Sequence, residues 1–295
     1  MKLRLMTGMV YVSVLIAFFL LKIFVHELFF DVLVYAFALI GTYEMTRALK
    51  DKLTKTETVM LYIFSALCIP LCVVGEIYRR GLHVAAVCYV VLGISLLTLL
   101  VFRHEETSLE SLGSSLFAAF YPNVLLIMLV LANNFMPTEL MKEYGLNSDL
   151  LILFVFVLSP IADSFAYLFG RFLRGKFPKK LAPTLSPNKT VIGFIGGLLG
   201  GVVGALAMYF VYNALAGSFA LAYVWLPVYL VIGLLVSATT AFGDLVESCI
   251  KRKVGLKDMG KLLPGHGGIL DRIDGTMFAT VAVYLAFVLI YTITL

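Results

Sequence analysis

Residues 248–274 read SCIKRKVGLKDMGKLLPGHGGILDRID and lie between apolar segments that are each long enough to span a bilayer. Because a lipid bilayer disfavours charge, a dense cluster of Lys, Arg, Asp and His beside membrane spans indicates a function. Carboxylates can hold a metal ion, cations can hold phosphate groups, and glycines let the backbone approach a ligand closely. This combination is typical of phosphoryl or nucleotidyl transfer at a membrane surface.

The composition of the whole chain indicates an integral membrane protein. Of its 295 residues, 61% are hydrophobic and only 14% are charged, and the mean hydropathy is +0.99. Soluble domains are about half apolar and about a quarter charged. The net charge of +5 does not indicate a nucleic acid partner, because the cations sort by membrane side. The four cysteines show no metal-ligand spacing, so we predict neither a disulfide framework nor a zinc site.

The apolar runs predict an all-α, polytopic fold with about nine transmembrane helices. We place these helices near 8–25, 28–46, 58–75, 84–102, 112–132, 149–170, 191–215, 220–243 and 275–294. Most of the 23 Lys and Arg residues fall in loops on the same side as the N-terminus. Because cytoplasmic loops carry the excess of such residues, the pattern predicts a cytoplasmic N-terminus.

We predict a single membrane domain, 1–295, in the cytoplasmic membrane. Residues 1–148 carry little visible chemistry and would form a helical scaffold, whereas 149–295 would form the catalytic part. Two large basic loops, 171–190 and 244–274, would lie on the cytoplasmic side, where nucleotides are found. The sequence leaves the oligomeric state open, a homodimer included.

Carboxylates flank the polar stretch at both ends. Asp244 and Glu247 close the eighth predicted span, and Asp271 and Asp274 open the ninth. Each pair is spaced i,i+3, so each lies on one helix face. If the two helix ends are neighbours, these hard oxygen ligands suit Mg²⁺. The alternative is that Asp271 and Asp274 stabilise a helix N-terminus, with Arg272 as an ion-pair partner.

A basic run accompanies these carboxylates. Its members are Lys251, Arg252, Lys257 and Lys261. Cytoplasmic cations beside a span often only attract anionic headgroups. That alternative does not account for the interleaved glycines, since Gly267 and Gly268 could turn backbone N–H groups towards phosphate oxygens. His266 could donate a proton to a phosphate or a leaving group.

The other basic loop contains SPNKT, residues 186–190. Hydroxyl groups, a lysine and a turn-forming Pro-Asn pair could form a phosphate cradle, although a solvated loop explains the same residues. Asp163 lies inside the sixth predicted span. A carboxylate at membrane depth usually has a function, and a buried hydrogen bond within the bundle is the alternative.

The motif residues form one long pattern. They are Ser248, Lys251, Arg252, Lys257, Asp258, Gly260, Pro264, His266, Gly267, Gly268, Asp271, Arg272, Ile273 and Asp274. This pattern resembles the C-terminal motif of the phosphatidate cytidylyltransferases, also called CDP-diacylglycerol synthases, and the resemblance extends over roughly 160–275. Many members read SPKKTWEG where this chain reads SPNKTVIG. Asn188 and Ile192 therefore stand where Lys and Glu are common, and no metal or nucleotide role is carried over to position 192.

The resemblance implies that CTP and phosphatidic acid react to give CDP-diacylglycerol and pyrophosphate. It implies Mg²⁺ at Asp244, Asp271 and Asp274, with a second metal ion left open. The catalytic set implied is Lys251, Arg252, Lys257, Asp258, His266 and Arg272. Substrate phosphates would be bound by Ser186, Lys189, Thr190, Gly267 and Gly268. The lipid tails would remain among membrane lipids.

Two other classes of protein remain open at this point. A CTP-dependent lipid kinase of the polyprenol type would use similar residues but would transfer the γ-phosphoryl group. An ion-coupled transporter would use Asp163 and Asp244 inside the membrane, and it predicts charge spread along the spans. The charge of this chain instead gathers in two loops, which favours an enzyme over both a transporter and a purely structural scaffold.

Overall fold

The structure is a computed structural model that describes residues 2–216 and 225–295, and this part of the chain is almost entirely helical. Its helices are α1 (Lys2–Phe24), α2 (Leu28–Ala48), α3 (Lys55–Ile77), α4 (Gly81–Phe102), α5 (Leu109–Asn133), α6 (Glu139–Glu143), α7 (Ser148–Phe172), α8 (Val191–Ala216), α9 (Leu226–Lys253) and α10 (Leu270–Thr294). Within the described residues, nine helices, all but α6, are long and apolar enough to cross a membrane. The predicted helical fold is therefore confirmed, and its nine apolar helices are consistent with a polytopic membrane protein. The side of the membrane on which each helix end lies stays a prediction.

The last two spans differ from their predicted bounds. The predicted start of the eighth span, 220–224, lies outside the described residues, and the helix continues to Lys253 rather than ending at 243. The final helix begins at Leu270 rather than at 275. Backbone hydrogen bonds hold a helix whether or not its side chains are apolar, so polar turns extend both helices past the apolar runs. The predicted loop 244–274 is thereby shortened, and both Asp244 and Asp274 lie on helices.

The predicted loop 171–190 contains a small antiparallel hairpin, which is not predicted from the sequence. Strands β1 (Lys180–Ala182) and β2 (Ser186–Thr190) pair with Lys180 opposite Thr190 and Ala182 opposite Ser186. Proline is confined to turns and edge positions of sheets because it cannot donate a ladder hydrogen bond. Two prolines in the segment KLAPTLSPNKT, residues 180–190, concealed the hairpin in the sequence.

One compact unit comprises Met1–Asn134 together with Val254–Arg272. Its core is the packing of α2 against α3 and α5. A closed set of hydrogen bonds joins these three helices: Thr42 donates to Ser65, Ser65 to Asn123 and Asn123 back to Thr42, at 3.0, 3.0 and 3.1 Å. All three side chains are buried, so each polar group is satisfied within the apolar interior.

The other compact unit comprises Phe135–Lys253 and Ile273–Leu295, so the division falls inside α10. Here α8 packs closely on α7 and α9 because glycines form its contact faces. Gly196 and Gly200 lie against Phe169 and Phe165 of α7, and Gly201 lies against the backbone of α9. Such close packing is typical of glycines spaced as GxxxG, the spacing of Gly196 and Gly200. We call these two parts the first and the second unit.

Replacing Gly201 by alanine is expected to destabilise the second unit by about 1–3 kcal/mol, because the new methyl group would collide with Ser237 and the backbone of Gly233. The control is Gly93→Ala in α4, where nothing lies within 4 Å of the added methyl group. Thermal unfolding of the purified protein in detergent measures both changes. Equal stability of the two variants would contradict the described packing.

Candidate active site

A lysine and a carboxylate from distant parts of the sequence meet in the second unit. Lys189, near the end of β2, forms an ion pair with Asp244 of α9. The hairpin fixes the lysine, since Thr190 pairs with Lys180. The buried hydroxyl of Thr190 also accepts a hydrogen bond from the backbone N–H of Gly193 at 3.1 Å, which anchors the start of α8. The predicted phosphate-binding lysine therefore lies beside a predicted metal ligand.

Two further carboxylates lie next to this pair. Glu247, one turn along α9, is 1% exposed and forms an ion pair with Lys251. Asp274 of α10 is in hydrogen-bonding contact with Glu247 and within the electrostatic influence of Asp244 and Lys251. Ser248 donates a hydrogen bond of 3.4 Å to Asp244. The structure thus brings three of the four predicted carboxylates together: Glu247 is buried, and Asp244 and Asp274 are half-buried.

The chemistry of this cluster fits a divalent cation that is completed by substrate. When its three carboxyl groups, from Asp244, Glu247 and Asp274, are all ionised, they outnumber its two lysines by one negative charge. Within the described ranges, no three or more His, Cys, Asp or Glu side chains are arranged so that they alone could hold a metal ion. Mg²⁺ is usually bound by one or two carboxylates, and substrate phosphates and water fill the remaining positions. The residues present therefore fit an open Mg²⁺ site rather than a protein cage.

A cavity of about 590 Å³ adjoins the Lys189–Asp244 pair within the second unit. Its polar lining includes Arg171 and Arg174 at the end of α7 as well as Asp163 from inside that helix. The rest of the wall is largely apolar. A cavity of this size with a few convergent charges is typical of a small-molecule site, and its cations suit an anionic ligand.

The orientation of Arg171 is held by an aromatic neighbour. Its Nη1 donates a hydrogen bond of 2.7 Å to the hydroxyl of Tyr167, and its guanidinium lies 5.8 Å from the centroid of that ring. An arginine that is already ordered loses less conformational freedom when it binds a phosphate. Neither Arg171 nor Arg174 is predicted from the sequence to bind substrate, because arginines are common in basic loops and neither belongs to a recognised motif.

The glycine-containing loop belongs to the first unit. A tight turn forms where Leu263 donates to the carbonyl of Gly267 at 2.9 Å and His266 donates to that of Leu263 at 2.8 Å. Gly267 closes the turn with a φ of +87°, which side-chain-bearing residues rarely adopt. The phosphate contact predicted for the backbone N–H of Gly267 stays a prediction.

Asp271 organises this loop from the first turn of α10. One of its carboxylate oxygens accepts hydrogen bonds from the backbone N–H groups of Met259 and Gly268, each at 2.8 Å. The N–H of Gly268 is therefore committed to Asp271, which corrects the expectation that it faces a phosphate. A side-chain carboxylate in this position satisfies backbone donors that a helix N-terminus leaves open. A metal-binding role for Asp271 stays a prediction, and it would have to use the other oxygen.

The remaining predicted residues differ in exposure. The exposed ones are Arg252 in the second unit and Lys257, Asp258 and Arg272 in the first. Ser186 and His266 are half-buried. The imidazole of His266 is close to Gly8 of α1, and its Nδ1 is buried without a hydrogen-bond partner in the part of the chain that the structure describes.

Comparison with known proteins identifies the family. The model of the cytidylyltransferase family matches residues 3–290. The chain belongs to the cytidylyltransferase family. The phosphatidate cytidylyltransferase of Staphylococcus saprophyticus is 48% identical over 127 residues, which are 43% of this chain and 45% of that protein.

Two further members of the cytidylyltransferase family show the same extent of similarity. The phosphatidate cytidylyltransferase of Staphylococcus haemolyticus is 46% identical over 140 residues, which are 47% of this chain and 50% of that protein. The phosphatidate cytidylyltransferase of Staphylococcus aureus is 48% identical over 128 residues, which are 43% of this chain and 45% of that protein. The chain spans about half the length of the curated relatives it matches.

One buried carboxylate of this chain, Glu44, belongs to no recognisable motif in the sequence. Glu44 of α2 is 1% exposed and accepts hydrogen bonds from the backbone N–H groups of Ile269 at 3.0 Å and Leu270 at 2.9 Å. A carboxylate within a membrane-spanning helix usually has a function. This reasoning singles out Asp163 in the sequence, and it holds equally for Glu44. The apolar composition of residues 1–148 concealed it.

Replacing Lys251 by methionine is expected to destabilise the protein by about 3–5 kcal/mol, because the buried carboxylate of Glu247 would lose the cation that compensates it. Lys251→Arg retains the charge and should retain most of the stability. Lys253→Met is the matched control, since this exposed lysine ends the same helix. Thermal unfolding in detergent compares the three variants, and equal losses for Lys251→Met and Lys253→Met would contradict a stabilising pair.

Proposed function

We propose that the protein transfers CMP from CTP to phosphatidic acid, producing CDP-diacylglycerol and pyrophosphate. The observation that carries this proposal is the carboxylate–lysine cluster of Lys189, Asp244, Glu247, Lys251 and Asp274 in a member of the cytidylyltransferase family. The three relatives compared above are named phosphatidate cytidylyltransferases. The charges of the cluster suit a reaction between two anionic substrates.

In the proposed reaction, a phosphate oxygen of phosphatidic acid attacks the α-phosphorus of CTP. A new P–O bond forms, the bond to the β-phosphate breaks, and pyrophosphate leaves with the electron pair. No strong general base is needed, because a phosphate monoester is largely deprotonated near neutral pH. The two substrates repel each other, so the barrier is lowered mainly by positioning and by charge compensation. Lysines fixed by ion pairs supply such compensation without reorganising.

We propose that Asp244 and Asp274 would hold a Mg²⁺ ion. Their oxygens are hard ligands, and the ionised carboxylates of the cluster exceed Lys189 and Lys251 by one negative charge, which favours a cation. When bound, Mg²⁺ would draw charge away from the phosphate oxygens of CTP. The lysines would contact non-bridging oxygens, while Glu247 orients Lys251. Whether a second metal ion binds stays a prediction.

The cavity beside Lys189 is proposed to receive a substrate phosphate. Arg171 offers a planar fork that matches two phosphate oxygens, and Arg174 adds a second positive charge. In the first unit, Lys257, His266 and the N–H of Gly267 are proposed to contact phosphate oxygens. Arg252, Asp258 and Arg272 stay predicted members of the catalytic set, and Ser186 stays a predicted phosphate ligand.

The membrane arrangement is proposed to follow the charge distribution. The N-terminus and both basic segments would lie on the cytoplasmic side, where CTP is available, in agreement with the positions of Lys and Arg. Residues 149–295 would supply most of the catalytic side chains of a single membrane domain, with 1–148 as a scaffold. A homodimer stays a prediction.

Asp244→Asn and Asp274→Asn are each expected to reduce turnover by at least about a thousandfold, because one neutral ligand weakens both the metal and the phosphate contacts. The purified protein would be given radiolabelled CTP, phosphatidic acid and Mg²⁺ in detergent, and label would be followed into the organic phase. Glu110→Gln is the control, since Glu110 is exposed and pairs with Lys52 at the surface. Near-normal activity of either Asn variant would remove that residue from the site.

The products of the same reaction distinguish the alternatives. Pyrophosphate and a lipid that carries the cytidine label are expected from cytidylyl transfer. CDP with a phosphorylated lipid would instead show a lipid kinase and would overturn the proposal. Flux of ions into liposomes without CTP would show a transporter.

Arg171→Ala is expected to raise the KM for one phosphate-bearing substrate by about tenfold, with little change in kcat, because the variant loses a charged contact that binds substrate and transition state alike. Arg171→Lys should restore only part of the affinity, since lysine lacks the planar fork. Arg103→Ala is the control, because Arg103 pairs with Glu106 in the first unit. Unchanged KM values for CTP and for phosphatidic acid would show that the cavity does not bind substrate.

A further inference from the structure

We propose that Glu44 is the positioning residue of the glycine-containing loop, holding it in the conformation that binds substrate phosphates. This rests on the proposed function, because the loop residues are assigned to CTP there. The proposal gives a specific task to α2, which lies in the half of the chain that the sequence presents as a scaffold. Every contact that carries it lies within the first unit.

The loop has two arms that flank its tight turn, a first arm of residues 257–260 and a second arm of residues 267–270. Glu44 reaches both arms. Its carboxylate accepts the N–H groups of Ile269 and Leu270, and it contacts Gly260 and Gly268 so closely that an added methyl group at either glycine would collide with it. The absence of a side chain at these two glycines is therefore what admits the carboxylate between the arms.

A second carboxylate completes the arrangement. Asp271 accepts the N–H of Met259 from the first arm and that of Gly268 from the second. Asp271 therefore links the two arms by hydrogen bonds, whereas Glu44 holds the second arm by hydrogen bonds and packs against Gly260 of the first. Together the two carboxylates compensate four backbone donors from the buried side. The turn that carries His266 is supported between them, while Lys257 and Lys261 are left exposed. Basic side chains can then face an anionic ligand while the buried acids hold the backbone.

The burial of Glu44 indicates that the contact is specific. A carboxylate that is 1% exposed among apolar helices is unfavourable unless its charge is compensated. Two N–H groups at the beginning of α10 provide that compensation, and the dipole of the helix adds to it. A hydrophobic residue in this place would avoid the cost of burial but could not join the arms.

The test compares Glu44→Gln with the wild-type protein in detergent. Glutamine retains one acceptor oxygen but places an amino group against a backbone N–H, so one of the two hydrogen bonds is lost. Amide hydrogen exchange at residues 259–270, without nucleotide or metal, is expected to accelerate about tenfold. The KM for CTP is expected to rise by a similar factor, while the KM for phosphatidic acid changes little.

Asp31→Asn is the matched control. Asp31 is another buried carboxylate of α2, 2% exposed, and it accepts hydrogen bonds from Asn133 and Asn134 instead of from the loop. Asp31→Asn is expected to lose global stability to a comparable extent but to leave amide exchange at 259–270 and the KM for CTP as in the wild type. Equal effects of the two substitutions on these quantities would reduce Glu44 to a general stabiliser and overturn the proposal.

Two more variants test the positioning role of Glu44 if Glu44→Gln does not fold. Glu44→Asp retains the charge but is one methylene too short to reach both N–H groups, so exchange should accelerate as in Glu44→Gln. If Glu44→Gln yields no folded protein, Gly268→Ala displaces the loop from the intact carboxylate and should produce the same acceleration, with Gly113→Ala as a control that meets nothing within 4 Å. Unchanged exchange in the folded variants would overturn the proposal.

Hydrogen exchange also separates this proposal from the proposed function. If the wild-type protein forms no labelled lipid, the cytidylyl transfer fails, and exchange at 259–270 still decides whether Glu44 positions the loop. If the wild type is active, and Glu44→Gln has the same amide exchange at 259–270 and the same KM for CTP, only the positioning role of Glu44 is overturned.

Discussion

Carboxylates buried among apolar helices must be compensated, and this protein satisfies the requirement in two ways. In the second unit, lysines do so: Lys251 pairs with the buried Glu247, and Lys189 pairs with the half-buried Asp244. In the first unit, backbone N–H groups do so, with Glu44 and Asp271 as acceptors. The lysine pairs keep charged side chains close together, as the proposed reaction requires. The hydrogen bonds from the backbone N–H groups fix the conformation of a loop.

Most of the fold could be predicted from the sequence, because the physical requirement of a bilayer is simple. Apolar runs of sufficient length form helices, and the nine predicted spans agree with the described helices to within a few residues, apart from the polar ends of α9 and α10. Those ends were missed because hydropathy does not report where backbone hydrogen bonding stops. The hairpin 180–190 was missed because its prolines suggest an open loop.

The candidate site was only partly predictable for a related reason. The i,i+3 spacing identified Asp244 and Glu247 as neighbours on one face, but no spacing relates them to Lys189 or to Asp274, which lie far away in the sequence. Glu44 and Arg171 carry no motif at all, and their significance follows from what they contact. Motifs thus indicate which chemistry is present, whereas tertiary contacts determine which residues perform it and which ones position it.

The central claim is that the carboxylates of Asp244 and Asp274 together hold a divalent cation. Binding of Mn²⁺, a paramagnetic substitute for Mg²⁺, to the purified protein in detergent with CTP present can be followed by electron paramagnetic resonance. The account predicts that wild-type protein binds the ion and that neutralising either aspartate weakens the affinity by at least about tenfold. Equal Mn²⁺ affinity in the wild type and in both substituted proteins would contradict the account.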